Sequence, residues 1–302
     1  MRIGALIDLE KPLGEVVEQV HAYAEAGFAS AWAVQIFGYD ALTLLAAVGA
    51  QVPGIGLGTG VVPVYSRHPQ VMAQQALTVQ AASRGRLTLG IGMSHQVVVE
   101  GLWGLTYDRP ARYLREYLAA LVPMLRGSAV DVRGEVVTAV TYAPLEVPGV
   151  EPPPVLVAAL GPVLLKLAGE LATGTVTWMT GIATVEDHIV PTITAAASAA
   201  GRPAPRVGVS LPVSVTADVD RAKADIDEAF AIYPTLPSYR AMLDREGAAG
   251  PSDVALVGTE EQVASRISRL EAAGATDFVA SIVGTAEERA ATTALLEALV
   301  GA

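Results

Sequence analysis

The chain has 302 residues, of which 52% are hydrophobic and 17% charged, a balance that excludes a disordered polymer and supplies a large core. Its formal net charge is −11 with no Lys/Arg cluster, so nucleic acid is not an expected partner. The absence of cysteine removes disulfides, thiolate nucleophiles and zinc–thiolate sites; His21, His68, His95 and His188 form no HxxxH pair, and no metal site is expected.

The first residues, MRIGALID, run straight into a strand-like segment without the apolar stretch of a signal peptide, and a cytoplasmic location is expected. No apolar run reaches 18 residues without Gly, Pro or charge, so no membrane span is predicted. Strand-like runs follow in order at 2–8, 30–35, 55–64, 86–92, 154–160, 175–179, 207–216 and 277–283. Between them lie segments of helical period. Leu13, Val16, Val17 and Val20 mark the first, closed by Gly27. Residues 40–51, 69–83, 109–126, 162–172, 185–200, 259–274 and 286–300 read as further helices.

Two segments break the rhythm: residues 128–147 read as a β-hairpin excursion and 218–250 as a helical insertion. Eight strand–helix units predict an α/β fold, a (β/α)8 TIM barrel forming one domain over 1–302. The rival is an open doubly wound sheet, suggested by Gly56-Leu57-Gly58-Thr59-Gly60 and Gly90-Ile91-Gly92. Neither run completes the G-x-G-x-x-G turn of a dinucleotide site.

In such a barrel the chemistry collects at the C-terminal strand ends. Those ends carry Asp8, Gln35-Ile36-Phe37, then Pro63, Tyr65, Arg67 and His68, then Met93-Ser94-His95-Gln96, Ala159-Leu160-Gly161-Pro162 and Trp178-Met179. No nucleophile–base pair and no carboxylate cluster stands among them, so the catalytic residues stay unassigned. An apolar and aromatic lining with a few hydrogen-bonding groups suits a planar cofactor.

Four segments carry a family resemblance. Leu57-Gly58-Thr59-Gly60-Val61 with Arg67-His68-Pro69, Ala81-Ala82-Ser83-Arg84-Gly85-Arg86 through Gly92, Val157 to Ala172, and Gly258-Thr259-Glu260-Glu261-Gln262-Val263 with Ala273-Gly274-Ala275-Thr276-Asp277 stand in the family's order. They resemble the luciferase-like flavin and deazaflavin oxidoreductases, with Arg84 standing where that family often has Gly. The resemblance implies coenzyme F420, or alternatively FMN, at the barrel mouth. It also implies a non-prolyl cis peptide or bulge at Gly60-Val61, and a homodimer.

The residues expected at the cofactor are Gln35, Thr59, Gly60, Val61, Met93, Ser94, His95, Ala159, Leu160, Gly161 and Pro162. Gly161 permits close approach and Pro162 suits a first helical turn, so this loop is the expected phosphate cradle. Ser94 and His95 are its expected helpers, and Gln35 would meet the polar edge of the ring. His68 is balanced between ligand contact and capping, Trp178 between pocket wall and core, and Tyr239 and Arg240 between closing over substrate and facing solvent. Gln35 cannot exchange protons, whereas the family's alcohol-oxidising members commonly place an acid or His there. That favours reduction of a small molecule with an activated double bond, the proton coming from Ser94, His95 or water. The rival readings are an FMN-dependent monooxygenase and a non-catalytic flavin-binding protein.

Overall fold

Eight of the apolar runs close into one parallel barrel in the computed structural model, which describes residues 1–301. The chain runs β1 (Arg2–Leu6), α1 (Leu13–Glu25), β2 (Ser30–Ala33), α2 (Ala41–Gln51), β3 (Gly56–Thr59), β4 (Val62–Pro63), α3 (Pro69–Ala82), β5 (Leu87–Gly92), α4 (Gln96–Gly101) and α5 (Pro110–Leu125). The hairpin strands β6 (Asp131–Arg133) and β7 (Thr138–Val140) follow, then β8 (Val155–Val157), α6 (Pro162–Leu171) and β9 (Gly174–Trp178). Next come α7 (Ile182–Thr184), a π turn at Val185–Ile189, α8 (Val190–Ala199) and β10 (Arg206–Val215). The last stretch is α9 (Val219–Ala229), α10 (Pro237–Glu246), α11 (Pro251–Val254), β11 (Leu256–Gly258), α12 (Glu260–Ala272), β12 (Asp277–Ile282) and α13 (Ala286–Val300).

Parallel pairing passes from β1 through β2, β3, β5, β8, β9, β10 and β12, and β12 pairs back onto β1. The barrel is closed, and the doubly wound alternative is excluded. Closure leaves no free edge among these eight positions. Outward-facing Val, Ile, Leu and Ala of the strands meet the helices in one continuous core that includes Ile3, Ala31, Leu57, Leu89, Val157, Val209 and Phe278. The helices begin where the sequence supplies caps. Asp40 accepts from Thr43 N at the start of α2, Thr259 and Gln262 form a capping box on α12, and Pro162 opens α6.

Three features depart from the expected elements. The third strand is split at Gly60-Val61, with β4 pairing onto β5 beyond the break. The hairpin is narrower than 128–147, since only three residues pair on each side. The short elements α4 and β11 were not foreseen, because six or three residues are too few to show a period. The 218–250 insertion is helical as expected, with α9 and α10 separated by a 3-10 turn at Tyr233–Thr235. No helix among the described residues is long and apolar enough to cross a membrane.

Candidate active site

Alternation along the strands decides which side chains face the barrel axis. Trp32, Leu156, Val176 and Val279 form a cluster of their own, with Leu6 and Val61 packed against it, and this is the middle layer of the interior. Below it, Arg206 pairs with Asp277 (2.8 Å) and donates to Thr88 Oγ1 (3.1 Å). Two residues above it the same strand faces carry Ala158 and Trp178 to the mouth. The Gly60–Val61 peptide at this level is cis, as the third-strand resemblance implied. A Cβ on Gly90 would lie 1.9 Å from the Thr59 carbonyl oxygen, so only glycine allows β3 and β5 to approach this closely.

The loop after β5 turns sharply at Ser94, which has φ +58. His95 caps α4 without a side-chain bond, and its ring lies 5.7 Å from that of Tyr239 on α10. From there an aromatic wall continues to Tyr233 (4.8 Å), Trp178 and Phe230. The insertion after the seventh barrel strand therefore covers one side of the mouth. Burial lowers the His95 pKa below its ordinary 6.5, so the ring is neutral at pH 7. Burial pushes the Tyr233 and Tyr239 hydroxyls up, so both are neutral donors.

Three side-chain polar atoms among the described residues are buried without an aligned hydrogen-bond partner: Trp178 Nε1, the Tyr65 hydroxyl and Ser214 Oγ, all towards the C-terminal strand ends. Tyr65 follows β4 and stacks on Tyr113 at 4.2 Å. Unpaired buried donors are uncommon, and each calls for an explanation.

On the opposite side, Gly161 is the N-cap of α6, with Pro162 in the first turn and no side chain capping the end. A Cβ on Gly161 would meet nothing within 4 Å, so the space in front of this helix start is open. The loop is held from behind by buried His188, whose Nε2 lies 2.8 Å from the Leu160 carbonyl oxygen. A carbonyl only accepts, so Nε2 carries the proton. His188 belongs to the π turn, a distortion often found at functional positions. Sequence spacing gave no signal for it, because the contact spans 28 residues.

Several expected contacts have other partners. The Thr59 hydroxyl both donates to and accepts from the Gly90 backbone (2.7 and 2.8 Å) and is fully buried, so it knits two strands and is not directed at the mouth. Gln35 Oε1 accepts from Ala41 N and Arg67 Nη2, tying the start of α2 to an Arg67–Asp40 ion pair. Met93 and Ala159 turn their side chains into the helix-side core and can offer only backbone to the mouth. His68 accepts from Gln70 N and bonds the Thr138 carbonyl, an exposed strut between α3 and the hairpin. Arg240 is spent on Asp244 and the Ala248 and Ala249 carbonyls. The remaining expected residues, Gly60, Val61, Ser94, His95, Leu160, Gly161 and Pro162, come from the C-terminal ends of three neighbouring strand positions.

Two surface clefts lie elsewhere. One of about 220 Å³ sits between α5 and α6, where Arg202 joins Pro152–Val155 at the strand starts. The other, about 620 Å³, lies among the starts of α9, α12 and α13 and is lined by Asp218, Arg221 and Glu288. Neither includes the orphaned donors. Chemistry and topology, not cleft size, place the candidate site at the mouth.

The chain is similar to several known proteins. An F420-dependent glucose-6-phosphate dehydrogenase of Nakamurella multipartita is 30% identical over 74% of this chain and 67% of its own. The coenzyme F420-dependent tetrahydromethanopterin reductase of Methanopyrus kandleri superposes with a TM-score of 0.82 at 22% identity, covering 98% of this chain and 97% of that one. A type II Baeyer–Villiger monooxygenase of Pseudomonas putida, solved with FMN, superposes with a TM-score of 0.74 at 18% identity over 99% and 96% of the two chains. The family description "luciferase-like monooxygenase" matches residues 1–277, and the chain belongs to that family of oxidoreductases.

Proposed function

We propose that this enzyme is an F420-dependent reductase acting on a small organic molecule with an activated double bond. The observation that carries the choice of cofactor is the Nakamurella relative, an F420-dependent enzyme aligned over most of the chain. When bound, reduced deazaflavin supplies two electrons as hydride, since it has carbon where flavin has N5.

The residues at the mouth fit such a group. The uncapped helix start at Gly161-Pro162 and the open space before it suit a phosphate, which backbone N–H groups and the helix dipole favour. Leu6, Val61 and Ala158 offer apolar contact for a ring, and Ser94 and His95 lie on the adjoining loop. The protein holds ring and substrate in contact and excludes water. Such positioning contributes roughly 7–11 kcal/mol to a bimolecular step. The proton for the product comes from the protonated form of His95, which solvent replenishes and which burial makes the stronger acid. Gln35 leaves the end of β2 without a base, which favours reduction over alcohol oxidation.

Titrating purified apoprotein with F420 and with FMN tests the cofactor, and tighter F420 binding is expected. Anaerobic oxidation of reduced F420 by a panel of enones and imines tests the reaction. Oxygenated product from reduced FMN and O2 would replace this reading with the monooxygenase one.

A further inference from the structure

Two segments flank the mouth, and they are fastened differently. The insertion is tied down. Glu246 on α10 accepts from Ala183 N (3.1 Å), Thr184 N and Thr184 Oγ1 (2.7 Å each), and Arg240 donates to Asp244 and to the Ala248 and Ala249 carbonyls. The stretch 94–107, which follows β5 and includes α4, has no such ties. Among the described residues, no hydrogen bond or ion pair of this stretch reaches outside it. Leu105 N donates to the Val99 carbonyl (3.0 Å) and Tyr107 N to Glu100 Oε1 (3.2 Å), so the stretch folds back on itself as a unit.

The ends of this unit are anchored and sharply turned. Met93 lies in the barrel core, and Arg109 Nη1 donates to Glu135 of the hairpin at 2.7 Å. Ser94 has φ +58 and Arg109 has φ +45. Left-handed backbone is uncommon for residues other than glycine, and a few positions at segment ends can absorb the φ/ψ change of a hinge. The unit is also apolar on its surface. Leu102 is 61% exposed, Val97, Trp103 and Leu105 are exposed near it in the chain, and α4 buries only Val99. The loop after β2 exposes Ile36 and Phe37 in the same way. Contacts through the loop after β4 bring the two together: Arg67 Nη2 donates to Gln35 Oε1 at 3.3 Å, and the Tyr65 and Tyr107 rings lie 5.2 Å apart. Six large apolar side chains left in water on neighbouring loops gain hydrophobic free energy when they are covered.

We propose that residues 94–107 form a lid, hinged at Ser94 and Arg109, that closes over the mouth when ligand binds and buries its apolar face against Ile36 and Phe37. This rests on the reading of the barrel mouth as the cofactor and substrate site. His95 stands beside the first hinge, and its ring contact with Tyr239 (5.7 Å) meets the tied insertion on the other side. Closing excludes water from whatever is bound, and reopening sets how fast it leaves.

Hydrogen exchange on the full chain, read by mass spectrometry, tests the free and the bound state separately. Without ligand, the amides of 95–107 are expected to exchange about a hundredfold faster than those of β5 and α5. Saturating F420, or FMN where that binds instead, is expected to slow them about tenfold and to leave α8 unchanged. Leu102→Asp combined with Leu105→Asp puts charge at positions that are already exposed. This double variant is expected to keep the parent's melting temperature and to release bound cofactor about fivefold faster in stopped flow. Exchange in the free chain as slow as in α5 would overturn the proposal, as would unchanged exchange on cofactor binding or an unchanged release rate in the folded variant. Protection that grows with protein concentration and not with ligand would overturn it too, since a second copy would then cover the face. The exchange series uses the unmodified chain and decides the matter even if the variant does not fold. Fast free-state exchange of 95–107 as one unit, with neither F420 nor FMN bound at saturation, would support the hinge and count against the reductase reading alone.

Discussion

The two ends of the barrel interior are built on opposite rules. At the bottom, the Asp277 carboxylate is 3% exposed and receives Arg206 from β10, Arg2 from β1 and the Thr276 hydroxyl, while Arg206 also reaches Thr88 on β5. Charges and donors there are matched, and four strands are joined. At the top, Trp178 and Tyr65 keep buried donors without partners, and Ser94 and Met179 hold positive φ. Residues held in sparsely populated backbone regions persist only where their surroundings fix them. One end of the same tube pairs its charges, and the other keeps buried polar atoms without an aligned partner. The bottom should therefore govern stability and the mouth function.

The largest test of that division is at the bottom. Asp277→Ala strands two arginines over the closed end, and breaking a buried ion pair from one side costs about 3–5 kcal/mol. Urea denaturation is expected to show a loss of that size, with ligand affinity unchanged in the protein that remains folded. A loss below about 1 kcal/mol would mean that the bottom layer does not clamp the barrel.

His95→Gln is the next largest and belongs to the mouth. A positioned acid contributes about a hundredfold or more, so reductive kcat/KM near pH 6 is expected to fall by ~100-fold with little change in melting temperature. The sign of the pH dependence follows from burial. The folded pKa lies below 6.5, so the acid form accumulates only as pH falls, and reductive kcat/KM should rise from pH 7.5 towards pH 5.5. In His95→Gln that slope should disappear. A rate that rises with pH in the unmodified enzyme would remove His95 as the proton source.

Gly161→Val should produce a smaller effect confined to binding. The new side chain enters open space at an extended N-cap, so the fold accommodates it. The same atoms then obstruct whatever sits before the helix start. Cofactor affinity is expected to weaken about tenfold, or ~1.4 kcal/mol, in a titration of the variant against the parent. Unchanged affinity would move the phosphate elsewhere.

The sequence disclosed these two ends unequally. Runs such as LTLGIG and VGVSLPVSV declare their strands because outward positions are aliphatic and inward ones small, so eight barrel positions were readable. The Gly161-Pro162 loop was readable because its backbone chemistry is local. His188 and Glu246 were not, since their contacts bridge 28 and 62 residues and depend on a π turn and on the path of an insertion. Gln35 and Thr59 were placed at the correct strand ends, yet a strand end does not reveal which neighbour will claim a side chain. Local chemistry was legible, and partner choice across the barrel was not.

The smallest effect probes whether the division follows height or the barrel axis. Beside the mouth but off the axis, the cleft among α9, α12 and α13 has matched partners like the bottom. Glu288 there accepts from Thr216, Arg221 and Thr285 N. The Thr216 hydroxyl bond leads in lowering its pKa to about 2 from the ordinary 4.5, with the Thr285 N–H and Arg221 adding to it. A carboxylate with a depressed folded pKa stabilises the protein fully above about pH 4.5, and that stability is lost as pH falls towards 2. The cleft is open to water, so screening limits the contribution to about 1 kcal/mol. Glu288→Gln is therefore expected to melt about 2 °C below the parent at pH 7, with the two curves converging as the pH approaches 2 and cofactor affinity unaltered. Were cofactor affinity to fall with it, the boundary between the self-satisfied and the ligand-completed parts of this barrel would have to be drawn by height alone, and the cleft would join the mouth.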